Sequence, residues 1–457
     1  MYLSKSSLLI VIGALNVRPR TKSSKFIAAE SCFYTYAANQ PLLSYSNISR
    51  MDFTLSPGQK TFLEKVDGAC RKIRDREEEC YLAEKLNDMV IPMFGKIGML
   101  GCPVSKRYGG LGLDMLTYAL AIERIGQEGS SLRTFFSAHT SIGQLVLQGW
   151  ASEEQKKQHL PYTVTGDNVM AFALTEPAAG SDPASMVTTF EERGDSFVLK
   201  GKKHWIGNGT FAGVMTTYAK DPATGKVSAF IIECDSPGLR TEEMKNKMGL
   251  LTVKNAEIYF DNCIVPKKNL LGKKGQGLSI AYSALIDGRL SVAAGAVGVM
   301  QDCLDESAAY AKSREQHGAP LAKKQLVQEH IARIATDIQS SKWLTYRAAA
   351  ARQRLHEYVE QVKDHGDWLE SLGRSNPEYS ALRSEADAMA AMAKFHASNR
   401  SFECANRSVQ VFGSAGYRKT ARVARHFLDS RATTIYEGAN EVLELKIASG
   451  VLGYSAY

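Results

Sequence analysis

The sequence predicts an α+β protein, mostly α, in three parts behind an N-terminal extension (1–50). The parts are an N-terminal helical domain (51–169), a small antiparallel β domain in the middle (170–277) and a C-terminal helical bundle (278–457). Three observations predict this. Apolar residues keep a helical period from Ser56 to about Thr165. From Met170 to about Pro266 they fall into short runs broken by glycine, proline and Asp/Asn turns. After Gly277 the helical period returns and holds.

Local chemistry accounts for each element in turn. Ser56-Pro57 supplies an N-cap serine with proline at the first helical position, where the N–H is unpaired in any case. Charged and apolar residues then alternate at helical spacing through Lys65–Met89. Gly95–Gly112, with its glycines and Pro103, reads as a loop, and Asp114–Gln127 and Ser137–Trp150 read as helices. In the middle part Phe197–Leu199, Gly213–Tyr218, Val227–Glu233 and Ala256–Val265 read as strands. GKKGQG, Gly272–Gly277, lacks the Walker spacing and reads as a turn rather than a phosphate loop. Val327, Ile331, Ile334 and Ile338 then form one apolar stripe at i, i+4, i+7 and i+11, and the long helices around it predict a bundle.

Composition narrows the function classes. The eight cysteines are scattered without a C-x-x-C pair, which argues for reduced thiols and against a disulfide framework or a zinc site. No apolar run reaches the length of a membrane span. The net charge of +8 is concentrated at one end: residues 1–50 hold Lys5, Arg18, Arg20, Lys22, Lys25 and Arg50 against Glu30 alone. The remainder is nearly balanced, so no nucleic-acid partner is expected.

The most informative stretch is FALTEPAAGSDPAS, Phe172–Ser185. Small hydroxyls (Thr175, Ser181, Ser185) and two carboxylates (Glu176, Asp182) alternate with residues that carry almost no side chain, so the backbone can approach a bound ligand closely. A-L-T-E-x-x-A-G-S-D-x-x-S resembles the first signature of the acyl-CoA dehydrogenase family. Far downstream, QVFGSAGYRKTARVARHFLDSRATTIYEG, residues 410–438, resembles the second signature followed by the catalytic I-Y-E-G. The resemblance runs from about Met51 to the C-terminus, and helix–sheet–helix is the architecture of that family. MDFTLSPGQKTFLEKV is similar to the opening of bacterial members, so Met51 is the favoured start. A signal peptide and a mitochondrial presequence are the alternatives for 1–50. A bacterial cytoplasm is expected, with the mitochondrial matrix as the alternative.

The resemblance implies FAD-dependent α,β-dehydrogenation of an acyl thioester. Such chemistry needs a carboxylate base over the α-carbon, hydrogen bonds to the thioester oxygen and a hydride acceptor on the opposite face. Glu437 matches the base, its N–H is the donor to the thioester oxygen, and Tyr436 and Gly438 complete the motif. One branch of the family takes its base from just before the arginine of ALIDGRLSVAAGAVG; Gly288 stands there, which leaves Glu437. Arg289 matches the arginine near the ligand, whereas Ile286 replaces the pantetheine-contacting aspartate and Asp287 follows one residue later. For the flavin, Phe172, Leu174, Thr175 and Ser181 match the loop along the ring, with Ser181 also touching the thioester ligand. Trp205, Ile206 and Gly207 match the strand packed on the flavin. Arg314 and Gln325 resemble the pyrophosphate and adenosine contacts. Gln410, Gly413 and Ser414 resemble the segment reaching a neighbouring subunit's flavin, which implies a homo-oligomer, a dimer or tetramer. An electron-transfer flavoprotein is the expected acceptor.

Several positions depart from the family pattern. Gly207 replaces the threonine whose hydroxyl bonds flavin N5, a form that resembles a short-chain acyl-CoA oxidase branch. Thr420 and Ala439 also differ, and Glu444 and Ser449 stand where arginines near the CoA end are common. The alternatives are therefore an acyl-CoA oxidase, a dehydrogenase of acyl-carrier-protein thioesters and, remotely, a non-catalytic flavoprotein scaffold. Arg133 in SSLRTFFSAHTS resembles the arginine that pairs with the distal carboxylate of glutaryl substrates, and a surface arginine at a helix start is the other reading. His356–Ser380, with Trp368, is an insertion of about twenty residues relative to the family pattern, expected to be a solvated helix extension.

Overall fold

A computed structural model of the protein describes residues 53–362 and 376–453. The extension 1–50 and the centre of the insertion, including Trp368, lie outside the described residues.

The N-terminal part is helical: α1 (Pro57–Arg74), α2 (Glu77–Leu82), α3 (Val90–Lys96), α4 (Met115–Gly126), α5 (Ser130–Phe136), α6 (Leu145–Trp150) and α7 (Glu153–Thr165). Ser56 caps α1 in a reciprocal box with Gln59, with Pro57 at the first position as expected. Asp114 caps α4 by accepting from Thr117 N at 2.9 Å. The helix expected over Ser137–Trp150 is two elements, because Ser137–Gln144 winds as a π-helix between α5 and α6. Such turns often mark functional sites.

The middle part is a sheet of β1 (Met170–Ala173), β2 (Thr189–Arg193), β3 (Ser196–Ile206), β4 (Val214–Lys220), β5 (Val227–Glu233), β6 (Leu239–Glu243), β7 (Ala256–Pro266) and β8 (Leu270–Leu271). Its order is β6-β7-β3-β2-β4-β5-β8, with β1 paired to β4. Most pairings are antiparallel, but β1 and β2 each run parallel to β4, which qualifies the expectation of a wholly antiparallel sheet. The expected strand Phe197–Leu199 is the buried start of the longer β3, whose later residues include Lys200, Lys202 and Lys203 and so hide the apolar signal.

The C-terminal part consists of α8 (Gly277–Ser313), α9 (Gln325–Val362), α10 (Pro377–Phe412), α11 (Arg422–Thr433) and α12 (Asn440–Leu452). GKKGQG is a turn leading into α8, as expected. Helix α8 has an apolar window long enough by composition to cross a membrane, yet 89% of that window is buried inside the fold. It is the central helix of the bundle, in contact with α4, α9 and α10. Ile334 and Ile338 of the expected stripe are buried against Val297, Met300 and Cys404. Of the expected insertion, residues 356–362 end α9 and 377–380 begin α10, and Tyr358 meets Asn376, the N-cap of α10, at 3.0 Å.

Buried polar links lock the three parts together. Asp429 on α11 accepts from Tyr81 OH at 2.8 Å, from Ser131 N and Oγ at 3.1 and 2.7 Å, and from Leu250 N at 2.6 Å. One carboxylate thus ties α2, α5 and the β6–β7 loop to the bundle. Asp302 on α8 likewise gathers Arg74 at 2.7 Å, Arg422 at 3.0 Å and His426 at 2.7 Å.

Candidate active site

The turn between α11 and α12 carries Tyr436-Glu437-Gly438. Glu437 has φ +56° and Gly438 φ +93°. A left-handed glutamate is uncommon and persists only where its surroundings hold it. Three cations from three helices do so. Arg133 of α5 donates to the Tyr436 hydroxyl, Arg289 Nε of α8 to the Glu437 carbonyl at 3.2 Å, and Lys394 Nζ of α10 to the Gly438 carbonyl at 2.8 Å. The Glu437 N–H has no acceptor among the described residues.

The Glu437 side chain turns onto α8 at Gly288. A Cβ at 288 would overlap Oε2 and lie 2.6 Å from Cδ, so only glycine leaves room for the carboxylate. Oε2 is buried and has no hydrogen-bond partner among the described residues. Burial pushes this carboxyl up to about 7, against the opposing pull of Arg289, Arg133 and Lys394. The result is a carboxyl poised to change its charge near neutral pH.

Arg133 is 1% exposed, which removes the reading of a surface arginine. Its aliphatic stem packs on α8 at Gly295, where a Cβ would come within 2.5 Å of Cγ. Its guanidinium carbon lies 5.4 Å from the Tyr436 ring centroid, and Nε and Nη1 are buried without partners among the described residues. Arg289 is also buried and pairs with Asp387 at 2.7 Å.

The residues matching a flavin loop meet at the sheet. Phe172 on β1 packs its ring 5.1 Å from Tyr218, Leu174 is buried, and the half-buried Thr175 accepts from His204 N at 2.8 Å, which brings the loop beside Trp205. Ser181 is exposed on the same loop. Glu176 anchors it from below, accepting from Val187 N at 2.6 Å, Thr188 N at 3.0 Å and the buried Lys203 Nζ at 2.7 Å. Trp205, at φ +61°, presents a ring that is 53% exposed; Ile206 is buried and Gly207 borders Ala138 of the π-helix. An outward indole beside a backbone-rich hydroxyl loop fits a planar polar ring system such as a flavin.

A second group lies at the far end of the bundle. Tyr310 stacks on Phe412 at 4.2 Å, which places the end of α8 with Arg314 beside the end of α10 with Gln410, Gly413 and Ser414. These four and Gln325 are all exposed. None of their hydrogen bonds or ring contacts among the described residues joins them to the Thr175–Trp205 group.

Of the departing positions, Asp287 forms a bidentate pair with Arg352 of α9 at 2.6 and 3.0 Å. The Thr420 carbonyl accepts from Arg425 at 2.7 Å, Ala439 precedes α12, and Glu444 is exposed on α12. Ser449 bonds back to the Leu445 carbonyl at 2.8 Å. Sequence reasoning passed over Lys394 and Asp387. The signal for Lys394 was present: a lone lysine amid the buried Ala390, Ala391, Ala393 and Ala397 of α10.

Comparison with known proteins places this geometry in a family. The N-terminal domain of acyl-CoA dehydrogenases matches residues 56–167, the middle domain 171–263, and the C-terminal domain 275–363 and 377–452. An acyl-CoA dehydrogenase of Bacillus subtilis is 34% identical over 390 residues, covering 85% of this chain and 96% of the relative. The structure of butyryl-CoA dehydrogenase from Megasphaera elsdenii is similar at a TM-score of 0.79 and 30% identity, over 88% of this chain and 100% of that one. The glutaryl-CoA dehydrogenase complex with glutaryl-CoA is similar at 0.78 and 31%, over 88% and 97%. The chain belongs to the acyl-CoA dehydrogenase family of FAD-dependent oxidoreductases.

Proposed function

We propose that the protein dehydrogenates an acyl-CoA thioester between its α- and β-carbons, with Glu437 as the base. The observation that carries this reading is the Glu437 carboxylate, held in a left-handed turn against Gly288 with Oε2 unpartnered among the described residues and its carboxyl pushed up to about 7. The α-proton moves to Glu437 as the C–H bond breaks, and its electron pair forms the new double bond. Bound FAD supplies the acceptor for the hydride leaving the β-carbon. The Glu437 N–H stabilises negative charge growing on the thioester oxygen, with Tyr436, Arg289, Gly438 and Ser181 lining the ligand.

Phe172, Leu174, Thr175, Ser181, Trp205, Ile206 and Gly207 hold the flavin ring in this reading. Arg314, Gln325, Gln410, Gly413 and Ser414 serve the flavin of a neighbouring subunit in a dimer or tetramer, which accounts for their exposure at a distance from the sheet. The expected electron acceptor is an electron-transfer flavoprotein, and the expected compartment a bacterial cytoplasm or mitochondrial matrix. The unpartnered nitrogens of the buried Arg133 favour an acyl tail ending in a carboxylate or another polar group, since an apolar tail offers a buried guanidinium nothing.

Anaerobic addition of butyryl-CoA or glutaryl-CoA should bleach the flavin of the wild type and leave Glu437→Gln yellow. Full activity of that variant would reject the assignment. One observation favours a second reading. Gly207 offers only backbone where the family has a hydroxyl, as in an oxidase, and a carrier-protein thioester is the other variant of the substrate. Peroxide formed in air with substrate alone separates the oxidase from the dehydrogenase, and comparing CoA with carrier-protein thioesters separates the carriers. A purified protein that holds no flavin even with added FAD would point to a scaffold.

A further inference from the structure

The middle of α10 contains a lysine that the chemistry above does not use. Lys394 is 0% exposed and is surrounded by alanines of its own helix. Its ammonium reaches the catalytic turn, donating at 2.8 Å to the Gly438 carbonyl and at 2.8 Å to Asn440 Oδ1. Asn440, the first residue of α12, is itself fixed to α10 by donating to Ser398 Oγ at 3.0 Å and Asn399 Oδ1 at 2.9 Å. A buried ammonium is costly unless it is paired, and here its acceptors are a carbonyl of the turn that carries Glu437 and the first side chain of the helix that follows it. The charged groups facing it are Glu437 on the turn, Glu441 on α12, Arg289 on α8 and Arg133 on α5.

We propose that Lys394 is a positioning residue for the base: with Arg289 it clamps two successive carbonyls of the turn, so that Glu437 stays left-handed and directed at the substrate. Arg289 takes the Glu437 carbonyl and Lys394 the Gly438 carbonyl, which fixes the two peptide planes that follow Glu437. When charged, Lys394 joins Arg289 and Arg133 in favouring the ionised carboxylate against burial, while burial pulls the lysine itself down to about 7. Lys394 therefore serves both the direction of the base and the pH at which it works. It does so through Glu437 and does not touch the substrate.

The inference rests on Glu437 being the base, and the test separates the two. Full-length FAD-loaded Lys394→Met, Lys394→Arg and Glu437→Gln are compared with wild type on butyryl-CoA and glutaryl-CoA. Lys394→Met is expected to keep its flavin spectrum and a near-normal KM, to lose at least about tenfold in kcat, as a displaced catalytic group does, and to shift the acid limb of kcat/KM upward by about one pH unit. Lys394→Arg should hold that limb near its wild-type position. If the methionine variant sheds its flavin, Lys394→Gln takes its place, keeping a donor without the charge; it should show the same upward limb. An inactive Glu437→Gln beside a lysine variant with wild-type kcat and limb would overturn the positioning role alone. An active Glu437→Gln would overturn the base assignment.

Discussion

The carboxylate of Glu437 rests on the α-carbon of Gly288, closely enough that a Cβ there would lie 2.6 Å from its Cδ. Gly288 belongs to the central helix and Glu437 to the turn between the last two helices. The proposed base therefore takes its direction from the bundle as well as from its own left-handed backbone. Gly288→Ala is expected to fold and bind FAD, because the intrusion is a single methyl group that the flexible end of Glu437 can evade. Moving the carboxylate by the order of 1 Å should lower kcat by up to about 100-fold. Flavin absorbance and steady-state rates read both, and an unchanged kcat would mean that the carboxylate works from elsewhere.

The pH profile follows from the same burial. A base must be ionised to act, and the Glu437 carboxyl is pushed up to about 7. Activity should be low below this value and rise with pH through it, in contrast to an ordinary carboxylate, which is ionised well below pH 6. The limb should appear in kcat/KM, which reports the free enzyme. Glu437→Gln should lower the rate by at least about 100-fold and abolish the limb. A limb that persists in the residual activity of this variant would assign it to another group.

Arg133 is expected to discriminate substrates by their tails. Arg133→Ala should lose activity on glutaryl-CoA by about 10-fold or more beyond its loss on butyryl-CoA, for a lost charge-assisted pair. The contact of Arg133 with Tyr436 sets the alternative, because a role in holding the turn alone would lower both rates equally.

Asp302 is expected to act on stability through the cations it gathers. Despite burial, its hydrogen bond with His426 and the charges of His426, Arg422 and Arg74 hold its carboxyl well below the usual range. A depressed folded-state value contributes stability that is present above the unfolded value of about 4 and lost as pH falls through the folded one. Asp302→Asn should cost about 3 kcal/mol at neutral pH by leaving buried cations unbalanced, and the gap should narrow as the wild type is acidified. Thermal melts at several pH values test this; a gap independent of pH would show that the carboxylate charge is not the cause.

What could be read from the sequence was local. The helical period of 327–338, the Ser56-Pro57 cap and the turn at Gly272–Gly277 depend on neighbours in the chain, and each is found in the structure. The TEPAAGS and IYEG segments could be read because each packs its chemistry into a few consecutive residues. Contacts between distant segments could not be read. The parallel pairing of β1 with β4, the seat of Glu437 on Gly288 and the clamp of Lys394 on Gly438 join residues that are far apart in the chain and carry no shared pattern. Arg133 shows the division most plainly: the sequence supplied a guanidinium and left a surface position open, and only packing against Gly295 and Tyr436 made it buried. Side-chain identity is local information, but the dielectric and the partners that decide what a charge does are set by tertiary packing.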